Sequence, residues 1–489
     1  LILLFLKNLT FSLLAVSLLS SFGSSMLYGY NLAVVNSPSE YIKAFYNTTW
    51  NQRYGEALEQ SPLTLMYSLT VSVFALGGML GSLLVGILVS RFGRKGTIIR
   101  STPLVFVAGG LMGLSRIFSS PEMVIIGRFI TGIHSGMRSK NAGIPMAEIP
   151  YTTVGTGAIE IVAGLIGLLL KPVNYGSIPQ IPRHLHPLPL VIICICTVRF
   201  TLVVINELCP ESLPGAIVTK YHNVSISLAL RCFLGEYDVQ DVIEEMQEEQ
   251  KSFSSVDTVS VCQFLSDPTL FWQILSVIVI NIGMQLSGID AIWFYTNSIF
   301  ENAGIPMAEI PYTTVGTGAI EIVAGLIGVG LRSAGRSKMY MFIGTATPIA
   351  FSFYYNHFLL LKQPLAHTQL LVPVMRYVSV ACVIGIIAGF CIGPAGLPFI
   401  ITGELFTQSH RPAAFIVGGT LNWLSNFTVG FVFPFLQISA GAFCYMVFCG
   451  ICLFVAAYVY YIIPETKNRT FMEISLMFSH NYGAYLHVG

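Results

Sequence analysis

Charged residues are scarce in this chain: 25 Lys and Arg and 24 Asp and Glu make up only 10% of its 489 residues. The two signs nearly cancel and leave a net charge of +1. No basic excess is available to attract nucleic acid, so no nucleic-acid partner is expected. A soluble surface needs more charge than this, and the scarcity therefore indicates a chain embedded in a membrane.

Sequence signatures of catalysis and of metal binding are also missing. The ten cysteines are scattered, most of them in apolar runs, without the spacing of a disulfide framework or a metal site. The sequence contains no nucleophile triad, metal-ligand cluster or phosphate-binding loop. We therefore expect a protein that is not an enzyme and that uses no metal and no cofactor.

Long apolar runs, by contrast, are abundant. Hydrophobic residues make up 54% of the chain and recur in runs of about 20, the length of an α-helix that crosses a bilayer. This pattern predicts an all-α membrane protein with about twelve transmembrane helices in contact with the lipid bilayer. Their predicted ranges are 10–33, 63–90, 97–118, 121–137, 153–170, 187–206, 270–300, 310–331, 339–360, 373–403, 412–436 and 440–463.

One sizeable polar stretch, residues 207–268, separates these spans into two halves and contains an acidic helical run. We interpret it as a set of cytoplasmic linker helices, because runs of charge are usually solvated. The predicted organisation is an N-terminal half at 1–206, the linker at 207–268, a C-terminal half at 269–463 and a cytoplasmic tail at 464–489.

Basic residues predict the orientation of the spans. Short basic clusters follow spans two, four, eight, ten and twelve, all on one side of the membrane, and the positive-inside rule makes that side cytoplasmic. Both termini are then cytoplasmic, and the plasma membrane is the expected location. The long first loop, 34–62, faces the opposite side, where Asn47 begins an Asn-Thr-Thr glycosylation acceptor.

Span seven carries the strongest functional signal. Its segment Asn281 to Phe300 is apolar yet contains Gln285, Ser287, Asp290 and Asn297, and intramembrane polar groups usually mark a substrate path. In an unbroken helix, at about 100° per residue, Asp290 points away from the stripe that holds Gln285. A break near Ser287 and Gly288 would bring Asp290 to the same polar face, as in transporter midplane sites.

Two further spans contain helix-disrupting or helix-packing residues. Span ten reads GPAGLP at 393–398, so it is expected to kink or unwind there. Span four, its counterpart in the first half, contains Gly132 and Gly136. These glycines suit either a functional break or close helix packing, and the sequence leaves both interpretations open.

Ordered motifs resemble those of the facilitative glucose transporter family, solute carrier family 2 of the major facilitator superfamily. They cover most of the chain: GRK at 93–95, GRF at 127–129, PES at 210–212, QLSG at 285–288, GR at 335–336, GELF at 403–406 with RPAA at 411–414, and PETK at 464–467. Within the family the stretches at 291–300, 303–306 and 422–427 are most similar to the fructose and urate branch, nearest its urate-transporting member.

The resemblance implies the major facilitator fold and facilitative transport of a hexose, fructose or glucose, with urate as a further candidate. It implies substrate-binding roles for Gln285, Asp290, Glu321, Phe399, Asn422 and Asn426. The resemblance also implies gate roles for Tyr295, Gly393, Pro394 and Pro398. A cytoplasmic charge network that locks the inner gate would contain Arg94, Lys95, Arg128, Glu211, Arg336, Glu404, Arg411 and Glu465.

Several positions depart from the family pattern. Residues 141–167 repeat 302–328 letter for letter, which an ancient internal duplication would not preserve, so 141–186 stand apart from the family. Glu321, Cys391 and Phe399 replace an Asn, a Glu and a Trp of the glucose carriers, which argues against a dedicated glucose carrier. Asp290 stands where the family usually has Asn.

Three functions therefore remain open. The first is a uniporter that equilibrates its solute by rocking the two halves about a central site. The second is a proton-coupled sugar symporter, in which the intramembrane acids Glu160, Asp290 and Glu321 relay protons. The third is a non-transporting sensor or inactive paralogue.

Overall fold

The computed structural model describes residues 31, 35–36, 38–141, 259–306, 309–334, 372–407, 409–466, 473–474 and 476–478. Within these residues the secondary structure is helical and contains no β-strand. Predicted spans five, six and nine, nearly all of span one and most of the predicted linker lie outside them, as do Glu160, Glu211 and Arg336.

The described helices follow the predicted spans closely. In chain order they are α1 Ser39–Tyr54, α2 Gln60–Leu114, α3 Pro121–Asn141, α4 Val261–Leu265, α5 Phe271–Leu286, α6 Ile289–Asn302, α7 Ile310–Ala334, α8 Val372–Ile392, α9 Leu397–Leu405, α10 Arg411–Ala440 and α11 Cys444–Tyr461. Among the described residues, five stretches are long and apolar enough to cross a membrane: Gln60–Val85, Pro268–Asn302, Tyr377–Leu405, Arg411–Ala440 and Cys444–Tyr461.

Predicted spans two and three form parts of one helical element, α2, rather than two separate helices. The element nevertheless folds back on itself. Arg128 of α3 donates to the carbonyl of Val71, while a side chain on the adjacent Gly127 would meet Ala108 and Met112. A straight helix would separate residues 71 and 108 by about 55 Å, so α2 must bend sharply between these two contacts with α3.

Close packing explains the glycines of span four. A Cβ atom at Gly132 would collide with the carbonyl oxygen of Phe74, and one at Gly136 with the carbonyl oxygen of Gly78. The backbones of α2 and α3 therefore touch along this stripe, as small residues allow in membranes. Of the two interpretations, the structure supports helix packing.

The bundle has two ends that are used as references below. The end that carries α1 is called the loop end, and the other, which carries Arg411, is called the Arg411 end. Helix α10 runs from one end to the other beside α2, with the Trp423 ring of α10 packed edge-on against Phe74 of α2 at 6.1 Å. In the described C-terminal part, α5, α6 and α10 pack together around fully buried Phe294 and Phe300. This packing surrounds the polar residues of span seven.

Candidate functional site

The helix of span seven is broken at the predicted place. Helix α5 ends at Leu286 and α6 begins at Ile289, with Gly288 between them in the left-handed conformation at φ +94°. Glycine adopts this conformation without the strain that a Cβ atom would bring, and a Cβ here would also lie 2.8 Å from the Phe448 ring. The predicted break is confirmed.

The break brings Asp290 to the polar face of α5, as the helix arithmetic required. The carboxyl of Asp290 is fully buried, and its Oδ1 accepts a hydrogen bond of 2.8 Å from Asn426 Nδ2 on α10. Its Oδ2 lies beside the side-chain amide of Gln285 on α5. Two of the six predicted substrate-binding residues thus contact Asp290 directly.

The orientation of the Gln285 amide follows from its neighbours. One of its terminal atoms lies 2.5 Å from Asp290 Oδ2 and 3.3 Å from Oδ1. With the amide nitrogen turned toward Asn422 Oδ1 at 2.7 Å, the Gln285 oxygen would face carboxylate oxygens. The nitrogen therefore faces Asp290 and donates, and the Gln285 oxygen faces the side-chain amide of Asn422, whose two terminal atoms lie 2.7 and 3.2 Å away. We call these four residues, Gln285, Asp290, Asn422 and Asn426, the amide–carboxyl cluster.

The cluster retains hydrogen-bonding capacity for a ligand. The Oδ1 atom of Asn426 is buried and makes no hydrogen bond, although buried acceptors are normally paired. Asn422 is half-buried, so the cluster reaches accessible space. A group of amides and one carboxyl can both donate to and accept from hydroxyl groups, which suits a polyhydroxylated solute.

The two remaining predicted substrate-binding residues lie on neighbouring helices. Glu321 is fully buried on α7. Phe399 is half-buried on α9 and packs against the same hydrophobic core as Phe294. A partly accessible aromatic ring of this kind can stack on a sugar or a heteroaromatic ring.

Span ten unwinds where the sequence predicted it. Helix α8 ends at Ile392 and α9 begins at Leu397, and the intervening residues 393–396 form a turn. Gly393 and Pro394 lie within this turn, and Pro398 occupies the first turn of α9, where a missing N–H group costs nothing. All three are buried, so the predicted gate residues of span ten border a real interruption in the helix.

Tyr295 lies on the loop-end side of the cluster. Its hydroxyl donates a 2.6 Å hydrogen bond to the carbonyl of Gly430 on α10. Its ring packs edge-on against Tyr67 of α2, with 6.2 Å between the ring centres, and in a tilted arrangement against Phe433 at 5.4 Å. Tyr295 also has a non-helical backbone, with φ −129°, so α6 bends where the predicted aromatic gate lies.

Further contacts close the loop end around Tyr295, and no sequence pattern predicted them. Asn297 donates from its side chain to the carbonyl of Asn36 and from its backbone to Asn36 Oδ1, each at 3.2 Å. The Tyr67 hydroxyl donates to the carbonyl of Val35, and Lys43 lies over the Tyr67 ring. Asn297 stood out as a polar residue in an apolar span, but its partner lies 261 residues away and no local pattern identifies it.

The predicted charge network is only partly described, at the Arg411 end. Glu404 accepts from the Thr466 hydroxyl, and Arg411 Nε donates to the carbonyl of Phe406 at 2.9 Å. Neither of the two ion pairs among the described side chains involves Glu404, Arg411 or Glu465. The side chains of Arg94 and Lys95 lie outside the described set.

The contacts described for Arg128 lie away from the Arg411 end. It is 2% exposed and donates to the carbonyls of Asn31, Thr70 and Val71. It lies two turns from the start of α3, where Glu122 pairs with Arg53 of α1. The expected role of Arg128 is therefore corrected, because the residue lies toward the loop end and binds backbone oxygens.

Asn47, the predicted glycosylation acceptor, lies on α1 outside the apolar spans. Its Oδ1 accepts from the backbone N–H of Leu58 at 2.9 Å, and Thr49 of the same motif is buried. The neighbouring Tyr46 packs α1 onto α2 through a 2.8 Å hydrogen bond with Thr70. Burial raises the pKa of Tyr46 to about 12, so this contact uses a neutral phenol.

Comparison with known proteins gives consistent relatives. The family model described as "Sugar (and other) transporter" matches residues 16–478. Facilitated glucose transporter member 9 of solute carrier family 2 from Homo sapiens is 40% identical over 488 residues, covering 98% of this chain and 87% of that protein. Member 5 from Bos taurus is 37% identical over 483 residues, covering 96% and 93%.

A solved structure shares the architecture. The inward open structure of the xylose transporter XylE from E. coli superimposes with a TM-score of 0.70 at 17% identity, covering 95% of this chain and 99% of that one. At this level of identity the likeness establishes the fold: an all-helical sugar-transporter bundle, as the spans predicted.

Proposed function

The chain belongs to the sugar transporter family, and from this premise we propose that it carries hexoses, fructose or glucose, across the membrane by facilitated, alternating-access transport. As a member of this family it is an integral, multi-pass membrane protein. A uniporter needs no covalent step, so the protein acts as a carrier and not as an enzyme. Urate is considered as a further solute through the resemblance to the fructose and urate branch, although a carboxylate in the site disfavours an anion.

The amide–carboxyl cluster is the observation that carries this proposal. Four polar side chains converge at the break between α5 and α6, deep in a helix bundle. Broken helices with freed polar groups at the centre of a bundle are typical of transporter binding sites. Gln285 joins Asn422 to Asp290, and with Asn426, Glu321 and Phe399 it would bind the hydroxyl groups and the ring face of a hexose.

The proposal also includes the membrane orientation of the chain and the gates on the two sides of the site. The loop end faces the exterior with Asn47 glycosylated, and the Arg411 end and both termini face the cytoplasm of a plasma-membrane protein. The N-terminal half, 1–206, and the C-terminal half, 269–463, rock about the cluster. Tyr295 and the interrupted helix at Gly393, Pro394 and Pro398 gate the site. On the cytoplasmic side the lock consists of Arg94, Lys95, Glu211, Arg336, Glu404, Arg411 and Glu465.

Uptake into vesicles tests the proposal. We expect the purified chain in liposomes to exchange labelled fructose or glucose with saturation, and Gln285→Leu to lose at least about 90% of that exchange, because the leucine removes the amide that links the cluster. Gln437→Leu, on α10 toward the loop end, is the matched control and keeps the wild-type rate. Absence of saturable exchange of either hexose by the wild-type chain would contradict the proposal.

A proton-coupled symporter is the second candidate, and the buried carboxyl of Asp290 is the observation that favours it. A uniporter and a symporter differ in whether the hexose accumulates inside the vesicle above its outside concentration. A uniporter stops when the hexose concentrations are equal, whereas a symporter with an imposed inward proton gradient concentrates the hexose inside. We expect no accumulation above equilibrium.

A further inference from the structure

The hydrogen-bond partners that the structure describes for the Asp290 carboxyl are side-chain amides. Asn426 Nδ2 donates to one of its oxygens at 2.8 Å and Gln285 Nε2 to the other at 2.5 Å. Neither ion pair between described side chains involves Asp290. The buried Arg128 is engaged elsewhere, with three backbone carbonyls. A carboxylate here would thus be held by neutral donors, and its charge would remain available to a ligand.

Local structure offsets part of the cost of burying a negative charge at this position. Asp290 lies in the first turn of α6, two residues after the N-cap Gly288, and helix N-termini stabilise anions. Two amide donors add hydrogen bonds to the charged form. Burial in the bundle opposes the charge. The two amide donors offset part of the free-energy cost of burying it, as does the half-buried Asn422 at the edge of the cluster.

We infer that Asp290 is a specificity-determining residue that makes the cluster accept neutral polyhydroxylated solutes and reject anionic ones, urate included. This inference rests on the proposed function, because it assigns the charge preference of that same site. A hydroxyl group of a hexose donates to the carboxylate and replaces a hydrogen bond to water. An anionic solute would instead bring a second negative charge into a low-dielectric pocket, and like charges in contact are strongly unfavourable.

A matched pair of ligands and a matched pair of residues test this inference. Glucuronate and glucuronamide differ by the charge of one group, as do Asp and Asn. Inhibition of labelled hexose exchange by each ligand would be measured in liposomes for the wild-type chain and for Asp290→Asn. Asp267→Asn, which makes the same chemical change at a helix cap outside the cluster, serves as the control variant.

We expect the wild-type chain to bind glucuronamide at least about tenfold more tightly than glucuronate, and Asp290→Asn to reduce that preference to within about twofold. Inhibition by urate should strengthen by a similar factor in Asp290→Asn. Asp267→Asn should keep the wild-type preference.

The outcomes separate this inference from the proposed function. Hexose exchange by the wild-type chain with equal binding of glucuronate and glucuronamide would overturn the charge preference and leave the transporter intact. An equal preference in wild type and Asp290→Asn would overturn the role of Asp290. Only the absence of wild-type hexose exchange would contradict the proposed function itself. The wild-type comparison needs no variant to fold.

Discussion

Arg128 donates to three backbone carbonyls, whose oxygen atoms carry no formal charge. Its guanidinium reaches the carbonyls of Thr70 and Val71 on α2 and that of Asn31, 97 residues away, and it lies 5.0 Å from the centre of the Phe74 ring. A guanidinium spreads its N–H donors over three nitrogen atoms and so reaches three separated carbonyls, whereas an ammonium group has all its donors on one nitrogen. The residue therefore ties α3 to α2 and to the segment around Asn31.

Replacing Arg128 with Lys should lower stability while keeping the charge. We expect Arg128→Lys to lose about 2 kcal/mol, because at least one carbonyl loses a charge-assisted hydrogen bond, and to lower the melting temperature of the detergent-solubilised protein. Arg53→Lys is the matched control, since its ion pair with Glu122 is exposed and such pairs contribute little. Equal melting temperatures for the two variants would contradict this account of Arg128.

At the scale of the helix, the break between α5 and α6 depends on one glycine. Gly288→Ala would place a side chain in the left-handed region, at a cost of about 1–2 kcal/mol, and would push the new methyl group against the Phe448 ring. We expect a lower melting temperature and a hexose exchange rate reduced by at least about tenfold, because Asp290 would no longer meet Gln285.

Gly450→Ala provides the control for that experiment. Gly450 lies within α11, and a Cβ atom there meets nothing within 4 Å, so alanine should be neutral or slightly stabilising. If Gly288→Ala behaves like Gly450→Ala in both stability and exchange, the break is not needed for the site.

How much of this could be predicted from the sequence depends on the range of each interaction. The breaks at Gly288 and at residues 393–396 are local signals, because glycine and proline inside an apolar run disrupt helices wherever they occur. The approach of Asp290 to Gln285 then follows from helix geometry. The family resemblance named Asn422 and Asn426 as site residues, but which oxygen each amide contacts depends on packing between helices.

Other features had no local signal. The GRF motif placed Arg128 in a charge network, but its actual carbonyl partners are backbone atoms that every residue carries, and no sequence pattern marks them. The same holds for Gly78, whose lack of a side chain makes room for the Trp423 ring.

At the scale of the whole molecule, contacts between the described parts of the two halves are concentrated toward the loop end. Tyr67 meets Tyr295 and Asn36 meets Asn297, while Trp423 packs against Phe74 nearer the middle of α2. The amide–carboxyl cluster lies farther from the loop end than these contacts along α6. Alternating access requires such contacts to break and reform in each cycle, so they should be individually weak.

Asn297 offers a direct test of this closure. Its side chain is half-buried and donates one neutral hydrogen bond to Asn36. Such a bond contributes about 1 kcal/mol. Losing the bond should shift the equilibrium between the closed and the open loop end by roughly fivefold. We expect Asn297→Ala to raise hydrogen exchange in α6, measured by mass spectrometry, without changing the melting temperature by more than a few degrees.

Glu301→Ala, an exposed change one turn further along α6, should leave exchange at the wild-type level. Because the gate rather than the cluster is altered, the preference between glucuronamide and glucuronate should stay the same in Asn297→Ala. Unchanged exchange in α6 would mean that this contact does not hold the loop end closed.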